Sequence, residues 1–347
     1  MGMREVRIGT WNLFEFGLRD RSPGEGHRKG RIIDLLRDGD VDVWCLQEFG
    51  SEALLRGIAA GTGMRCVVPT RHSTHGDTAY DPGAQGYGLG IMWRPRTGPG
   101  FAVEPVPDSL YLYSTTRQMY HGMVLLHLRI GGVELKIAST HLTPWGGSQA
   151  SVEARRIVAA MTLPTDGPPA VLCSDSNTIS ADRDAGGSYH CPDPFASLPW
   201  RDSFVWQCTW RYDDQGRRIH QADRTAADIL WSGGLHDSGA ILGTAPTPTI
   251  LTGERDLPAR EIDHIRVTRQ LAPAIRSCEV RPVTEGVPPS DHHPKITTID
   301  LDAIPPPKPA GWSAFGGRQD IGAYYSGLPD QDPHWEEAPL PPPLPWL

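Results

Sequence analysis

The chain has 347 residues, 39% hydrophobic and 21% charged, with 33 Lys and Arg against 41 Asp and Glu for a net charge of −8. This is the composition of a globular protein with room for one large domain or two small ones. No run approaches the ~18–20 apolar residues of a membrane helix, and an acidic total excludes sequence-independent nucleic-acid binding by bulk charge.

In chain order, residues 4–10 alternate Val6 and Ile8 with polar neighbours, which predicts a strand. A helix is expected over 28–37, with Ile32, Ile33, Leu35 and Leu36 on one side. Residues 41–46 form an apolar run suited to a strand buried on both faces, and Ser51 is placed to cap a helix over 52–60. Residues 87–93 read as a strand, and 123–130 and 133–139 as a hairpin across Gly131-Gly132. A helix over 148–161, a buried strand over 170–173 and a helix capped by Asp223 and ending at Gly233-Gly234 follow. The last strands are 262–267 and 296–301. From residue 302 the composition changes: the remaining segment holds 11 of the 33 prolines together with six aromatics, among them Trp312, Trp335 and Trp346. It reads as a proline-rich tail that docks on the body or on a protein partner.

The N-terminus lacks an apolar signal core, and Val6 stands where a myristoylation motif needs Ser or Thr. None of the six cysteines forms a C-x-x-C pair, which argues against a zinc ribbon. A cytoplasmic protein with reduced structural thiols is expected. Basic residues cluster at Arg28-Lys29-Gly30-Arg31, Arg155-Arg156 and Arg217-Arg218, and the helical clusters read as solvated faces. No Gly-x-Ser-x-Gly elbow supports a serine hydrolase.

Six apolar runs each deliver a carboxylate, amide or imidazole at one end: Asn12, Gln47-Glu48, Thr140-His141, Asp175-Ser176-Asn177, Asp263-His264 and Ser290-Asp291-His292. Strand ends are where layered sheet proteins commonly build ligand sites. Alone, each element has an ordinary reading, a solvated strand end or an Asx-turn. The ordered set is specific. Ile8-Gly9-Thr10-Trp11-Asn12, Asp42-Val43-Trp44-Cys45-Leu46-Gln47-Glu48, Ser139-Thr140-His141-Leu142, Leu172-Cys173-Ser174-Asp175-Ser176-Asn177, Glu261-Ile262-Asp263-His264-Ile265 and Ser290-Asp291-His292-His293-Pro294 resemble, in order, six motifs of the endonuclease/exonuclease/phosphatase superfamily. Ser174 departs from the glycine usual in the fourth.

The resemblance implies an α+β fold, a four-layer α/β/β/α sandwich of two mixed β-sheets with outer helices, over a catalytic body of residues 1–301. It implies a divalent cation, Mg²⁺ or in its place Mn²⁺, with Glu48 as main ligand and Asn12 and Asp291 beside it. A hard cation among oxygen donors neutralises the charge gathering on a phosphoester's oxygens. His292 paired with Asp263 is expected to deprotonate water. Asp175 is expected to orient that water or hold the phosphate, Asn177 to donate to a phosphate oxygen, and His141 to stabilise the phosphoryl oxygens or protonate the leaving group. Strand alternation turns His264 and His293 to the opposite face. The polar loop 71–77 reads as a surface loop. The expected substrate is a nucleic acid, with no membrane involved; the alternatives are a small-molecule or lipid phosphoester, or a non-catalytic binding module on the same fold.

Overall fold

A computed structural model of the chain describes residues 4–17, 25–38, 40–67, 87–97, 101–113, 119–162, 167–184, 186–250, 257–283 and 288–306. Its elements begin with β1 (Glu5–Phe16), α1 (Glu25–Asp38), β2 (Val43–Phe49), α2 (Glu52–Thr62), β3 (Arg65–Cys66) and β4 (Gly88–Trp93). Next come β5 (Arg96–Thr97), β6 (Phe101–Pro105), β7 (Tyr111–Tyr113), β8 (Met123–Ile130), β9 (Val133–His141), α3 (Gly147–Thr162) and β10 (Ala170–Asp175). The chain continues through β11 (Cys208–Tyr212), β12 (Arg218–Ala222), α4 (Thr225–Ser232), β13 (Leu235–Asp237), α5 (Ser238–Leu242), β14 (Asp263–Thr268), β15 (Ile275–Val280) and β16 (Lys295–Asp300). The loop 71–77 and the proline-rich segment beyond Pro306 lie outside the described residues.

Two mixed sheets face each other. One runs β15-β16-β1-β2-β4-β3; the other runs β13-β14-β10-β9-β8-β6-β5, with β7 also on β8. The period of two along each strand sorts its side chains between layers. Val6, Ile8, Val43 and Cys45 point inward from the first sheet and meet Leu126, Leu128, Leu135, Ile137, Val171, Cys173, Ile265 and Val267 of the second. On the first sheet's outer face, Trp11, Leu13, Trp44 and Leu46 pack with Ile32 and Leu36 of α1 and Leu55 and Ile58 of α2. On the second's, Leu125, Ala138 and Leu172 pack with Ala154 and Ile157 of α3 and Leu230 of α4. The order is therefore helix, sheet, sheet, helix. Each fully buried Leu, Ile or Val contributes about 1.5–3 kcal/mol of transfer free energy to holding the layers together. Among the described residues, no helix is long and apolar enough to cross a membrane.

Ser51 caps α2 by accepting the Leu54 N–H at 3.2 Å, and Gly63 closes it in the left-handed region. The start of α4 differs from expectation. Arg224 occupies its cap position, and Asp223 stands one residue earlier while still accepting the Thr225 N–H at 2.9 Å. Arg28 of α1 also departs from a solvated face. Its guanidinium donates to the Pro289 carbonyl at 2.6 Å and to the carbonyls of Leu13 and Phe14, and so anchors the end of β1.

Candidate active site

The inward tracks that build the core continue past it and turn polar at one end. After Val6 and Ile8 come Thr10 and Asn12; after Val43 and Cys45 comes Gln47; after Leu135 and Ile137 come Ser139 and His141. Val171 and Cys173 lead to Asp175, while antiparallel β14 presents Val267, Ile265 and then Asp263. A polar layer marks the change. Gln47 Nε2 donates to Thr10 Oγ1 and, across the sheets, to Ser139 Oγ, each at 3.1 Å, and Ser139 donates to the Leu46 carbonyl at 3.1 Å.

Glu48 leaves the alternation. The β2–β4 register slips between Gln47 and Phe49, and Glu48 takes φ 59°, a left-handed conformation that costs a non-glycine residue energy and clusters at functional sites. The bulge brings its carboxylate to Asn12, whose Nδ2 donates to Glu48 Oε1 and to Asp175 Oδ2, both at 2.8 Å. The Glu15 N–H holds Glu48 Oε2 at 2.9 Å, and the Phe14 N–H holds Asn12 Oδ1 at 2.9 Å.

His292 enters ahead of β16. Ser290 Oγ accepts its N–H at 3.0 Å and donates to the Asn12 carbonyl at 2.7 Å, and Trp11 Nε1 donates to the His292 carbonyl at 2.9 Å. Its Nδ1 meets Asp263 Oδ2 at 2.7 Å, and its Nε2 lies 3.9 Å from Asp175 Oδ2 and 3.9 Å from Asp291 Oδ1. Burial disfavours the imidazolium, but Asp263, Asp175 and Asp291 outweigh it and push the pKa up to about 10. Burial likewise pushes the Asp175 carboxyl up, yet His141, His292 and hydrogen bonds from Asn12 and Asn177 overcome it and hold the group below the usual range.

The structure therefore brings together every residue expected in the site. His141 Nε2 stands 3.0 Å from Asn177 Nδ2 and 3.4 Å from Asp175 Oδ2. Asn177, in the left-handed region at φ 47°, also donates to the Leu142 carbonyl at 3.0 Å. His264 turns away to Asp237 at 2.8 Å, and His293 accepts the Val283 N–H on Nδ1 at 3.1 Å.

Two groups carry no motif signal. His121, from the turn before β8, is buried and stacks on His141. Glu153 of α3, fully buried, accepts the Tyr120 N–H at 2.6 Å and the Thr143 N–H at 2.8 Å, clamping the segments that carry the two histidines. The pattern Thr-x₉-Glu between Thr143 and Glu153 leads into an ordinary amphipathic helix, and nothing in it singles the glutamate out.

The donor set fits a hard divalent cation. Ligand atoms of Glu48, His141 and Asp175 lie within 4.8 Å of one another, as do those of Asp175, Asp263 and His292. His141 Nδ1 is buried without a hydrogen-bond partner, 3.8 Å from Glu48 Oε1. A third group, Asp237, Glu261 and His264, already holds a cation, because Lys295 Nζ sits 2.6 Å from Glu261 Oε1 and 3.1 Å from Asp237 Oδ2.

Known structures share the architecture. An endonuclease/exonuclease/phosphatase family protein from Bacteroides thetaiotaomicron superimposes with a TM-score of 0.52 at 14% identity, covering 87% of this chain and 98% of that one. A 3′ phosphatase from Neisseria, bound to a product DNA hairpin, gives 0.51 at 20% identity over 85% and 99%. An AP endonuclease from Archaeoglobus fulgidus gives 0.50 at 18% identity over 85% and 100%. At these identities the likeness establishes the fold. No curated protein sequence gives a significant match. The model of the Endonuclease/Exonuclease/phosphatase family matches residues 9–292, from the first motif strand to His292, and the chain belongs to that family of metal-dependent phosphoester hydrolases.

Proposed function

We propose that the protein hydrolyses phosphodiester bonds of a nucleic acid with Mg²⁺, or Mn²⁺ in its place. The observation that carries this reading is the His292–Asp263 pair at 2.7 Å, its free Nε2 turned toward Asp175 and Asp291. A divalent cation held by Glu48, with Asn12 and Asp291 beside it, supplies charge neutralisation for the phosphoester oxygens. Asp263 fixes the His292 tautomer, leaving Nε2 to take a proton from water. In the free chain Asp263, Asp175 and Asp291 favour the His292 proton.

Asp175 orients the water, Asn177 donates to a phosphate oxygen, and His141 stabilises the phosphoryl oxygens or protonates the leaving group. Asn177 and His141 share a hydrogen bond, so they approach a substrate as one unit. A nucleic acid is favoured over a compact phosphate because the arginines are dispersed, where a small phosphate needs several converging on one pocket. A net charge of −8 makes such binding weak and salt-sensitive.

The test offers purified protein, with Mg²⁺ or Mn²⁺, plasmid DNA, single-stranded DNA, RNA and a panel of small phosphoesters. Nucleic-acid cleavage at low salt that fades toward physiological salt is expected. Hydrolysis of a small phosphoester with every nucleic acid left intact overturns the reading.

A further inference from the structure

Trp11, Trp44 and Trp93 are buried, whereas Trp145 is 42% exposed and Trp206 45% exposed. These two exposed indoles meet edge to face with ring centroids 5.0 Å apart. Their backbones are held. The Trp145 N–H donates to Thr143 Oγ1 at 3.3 Å. Gly146, at φ +67°, lets the loop approach so closely that an added Cβ would lie 2.6 Å from the Trp206 carbonyl oxygen.

The pair adjoins the catalytic rim. Trp145 follows His141 by four residues, which limits their Cα separation to roughly 14 Å. On the other side, the Asp223 carboxylate faces Gly147, and the Asp223 carbonyl accepts from Thr178 Oγ1 at 2.8 Å. Thr178 is next to Asn177, which hydrogen-bonds His141. A carboxylate beside the pair repels a phosphate but tolerates a neutral flat ring. Six residues before Trp206, Trp200 packs on Trp210 at 4.4 Å, and the Arg218 guanidinium lies over Trp210 at 3.8 Å. Aromatic faces interleaved with a cation suit a single strand, whose bases stack while its phosphates meet positive charge.

We propose that Trp145 and Trp206 form a stacking step for the nucleobase flanking the scissile phosphate of a single-stranded substrate. This rests on the nucleic-acid reading above. The step selects unpaired nucleotides, because a base inside a duplex offers no free face to an indole.

The experiment compares a single-stranded oligonucleotide with versions carrying one abasic residue at each position around the cleaved bond. Wild type should lose kcat/KM on one abasic version by about five- to hundred-fold, the range expected for one stacked base. Trp145→Ala and Trp206→Ala should show that loss already on the intact strand and no further loss on the abasic one, while Trp145→Phe retains most activity. Unchanged melting temperatures confirm that the fold survives. Alanine variants slowed by the same factor relative to wild type on the abasic strand as on the intact strand, no loss at all, or Trp dependence seen only on a sugar phosphate overturns the step while leaving oligonucleotide cleavage to be scored separately. If wild type cleaves no oligonucleotide yet hydrolyses p-nitrophenyl phosphate, the nucleic-acid reading and the stacking step fall together.

Discussion

His121 lies flat against His141, with ring centroids 4.0 Å apart and planes 14° from parallel. The rings of Tyr87 and Tyr120 stand nearly perpendicular to His121. Burial, reinforced by His141, holds the His121 pKa well below the usual histidine range, so the supporting ring stays neutral. Its role is to fix the plane in which His141 reaches Asn177 and Asp175. His121→Ala should lower kcat by about ten- to hundred-fold, since a displacement of order 1 Å at a reacting group costs that much. KM should change little, and His121→Phe should restore most of the rate. Steady-state kinetics beside melting temperatures would separate this from simple destabilisation; an inactive His121→Phe that folds normally contradicts it.

Glu48→Gln keeps the side chain's shape and an acceptor for Asn12, gives up the acceptor for the Glu15 N–H and removes the charge. His292→Ala removes the ring held by Asp263. Each should lower turnover by about 10²–10⁴-fold with the fold intact by circular dichroism. Excess EDTA should do the same to wild type, reversibly on adding Mg²⁺. Full activity in EDTA would rule the scheme out.

At Asn177 backbone and side-chain roles can be separated. Glycine adopts φ 47° without strain, whereas alanine there costs about 1–2 kcal/mol. Both lose the contacts to His141 and Leu142. Asn177→Gly should keep near wild-type stability in urea, Asn177→Ala should be less stable, and both should lose similar activity. Equal stabilities would show that the turn does not impose this conformation.

Acid should unfold the protein through carboxylates remote from the reacting groups. Burial pushes the Asp237 carboxyl up, but Lys295 and His264 outweigh it and hold the group well below its usual value. Asp182 behaves likewise, with Arg266 at 2.6 Å overcoming burial. Because their folded pKa values are depressed, the stability they contribute is fully present above the unfolded value of about 3.9 and is lost as pH falls through the folded values. Urea midpoints should drop below about pH 4. Lys295→Met leaves Asp237 and Glu261 buried without their cation and should cost about 3–5 kcal/mol at neutral pH. An unchanged midpoint in that variant would show that the network is neutral in the folded state.

Much of the site was legible because strand alternation is a local rule: parity alone puts Asn12, His141, Asp175 and Asp263 each on the apolar face of its own strand. The ordered motifs supplied Glu48 and His292. The bulge that turns Glu48 inward left no mark in composition. His121 went unseen because a histidine between Tyr120 and Gly122 has no periodic partner, and its stacking on His141 depends on the register of the β8–β9 hairpin. Lys295, one residue ahead of the strand expected over 296–301, carried no signal, since its partner Asp237 is 58 positions away. Short strands such as β5, β7 and β13 hold only two or three residues, too few to establish a period.

The Thr10–Gln47–Ser139 layer has a consequence for how this protein can change. Below it, a one-methylene substitution is felt by a close-packed interior and registers as lost stability. Above it, the 179–222 stretch packs around a small apolar cluster of its own, with Ile179, Phe195, Phe204 and Cys208, separate from the layer between the sheets. Tethered at Gln47, the sheets cannot slide past each other, so a rebuilt wall inherits the spacing between Asn12 on one sheet and Asp175 on the other unchanged. New substrates can therefore be acquired by swapping the rim, with the chemistry carried over intact from the floor.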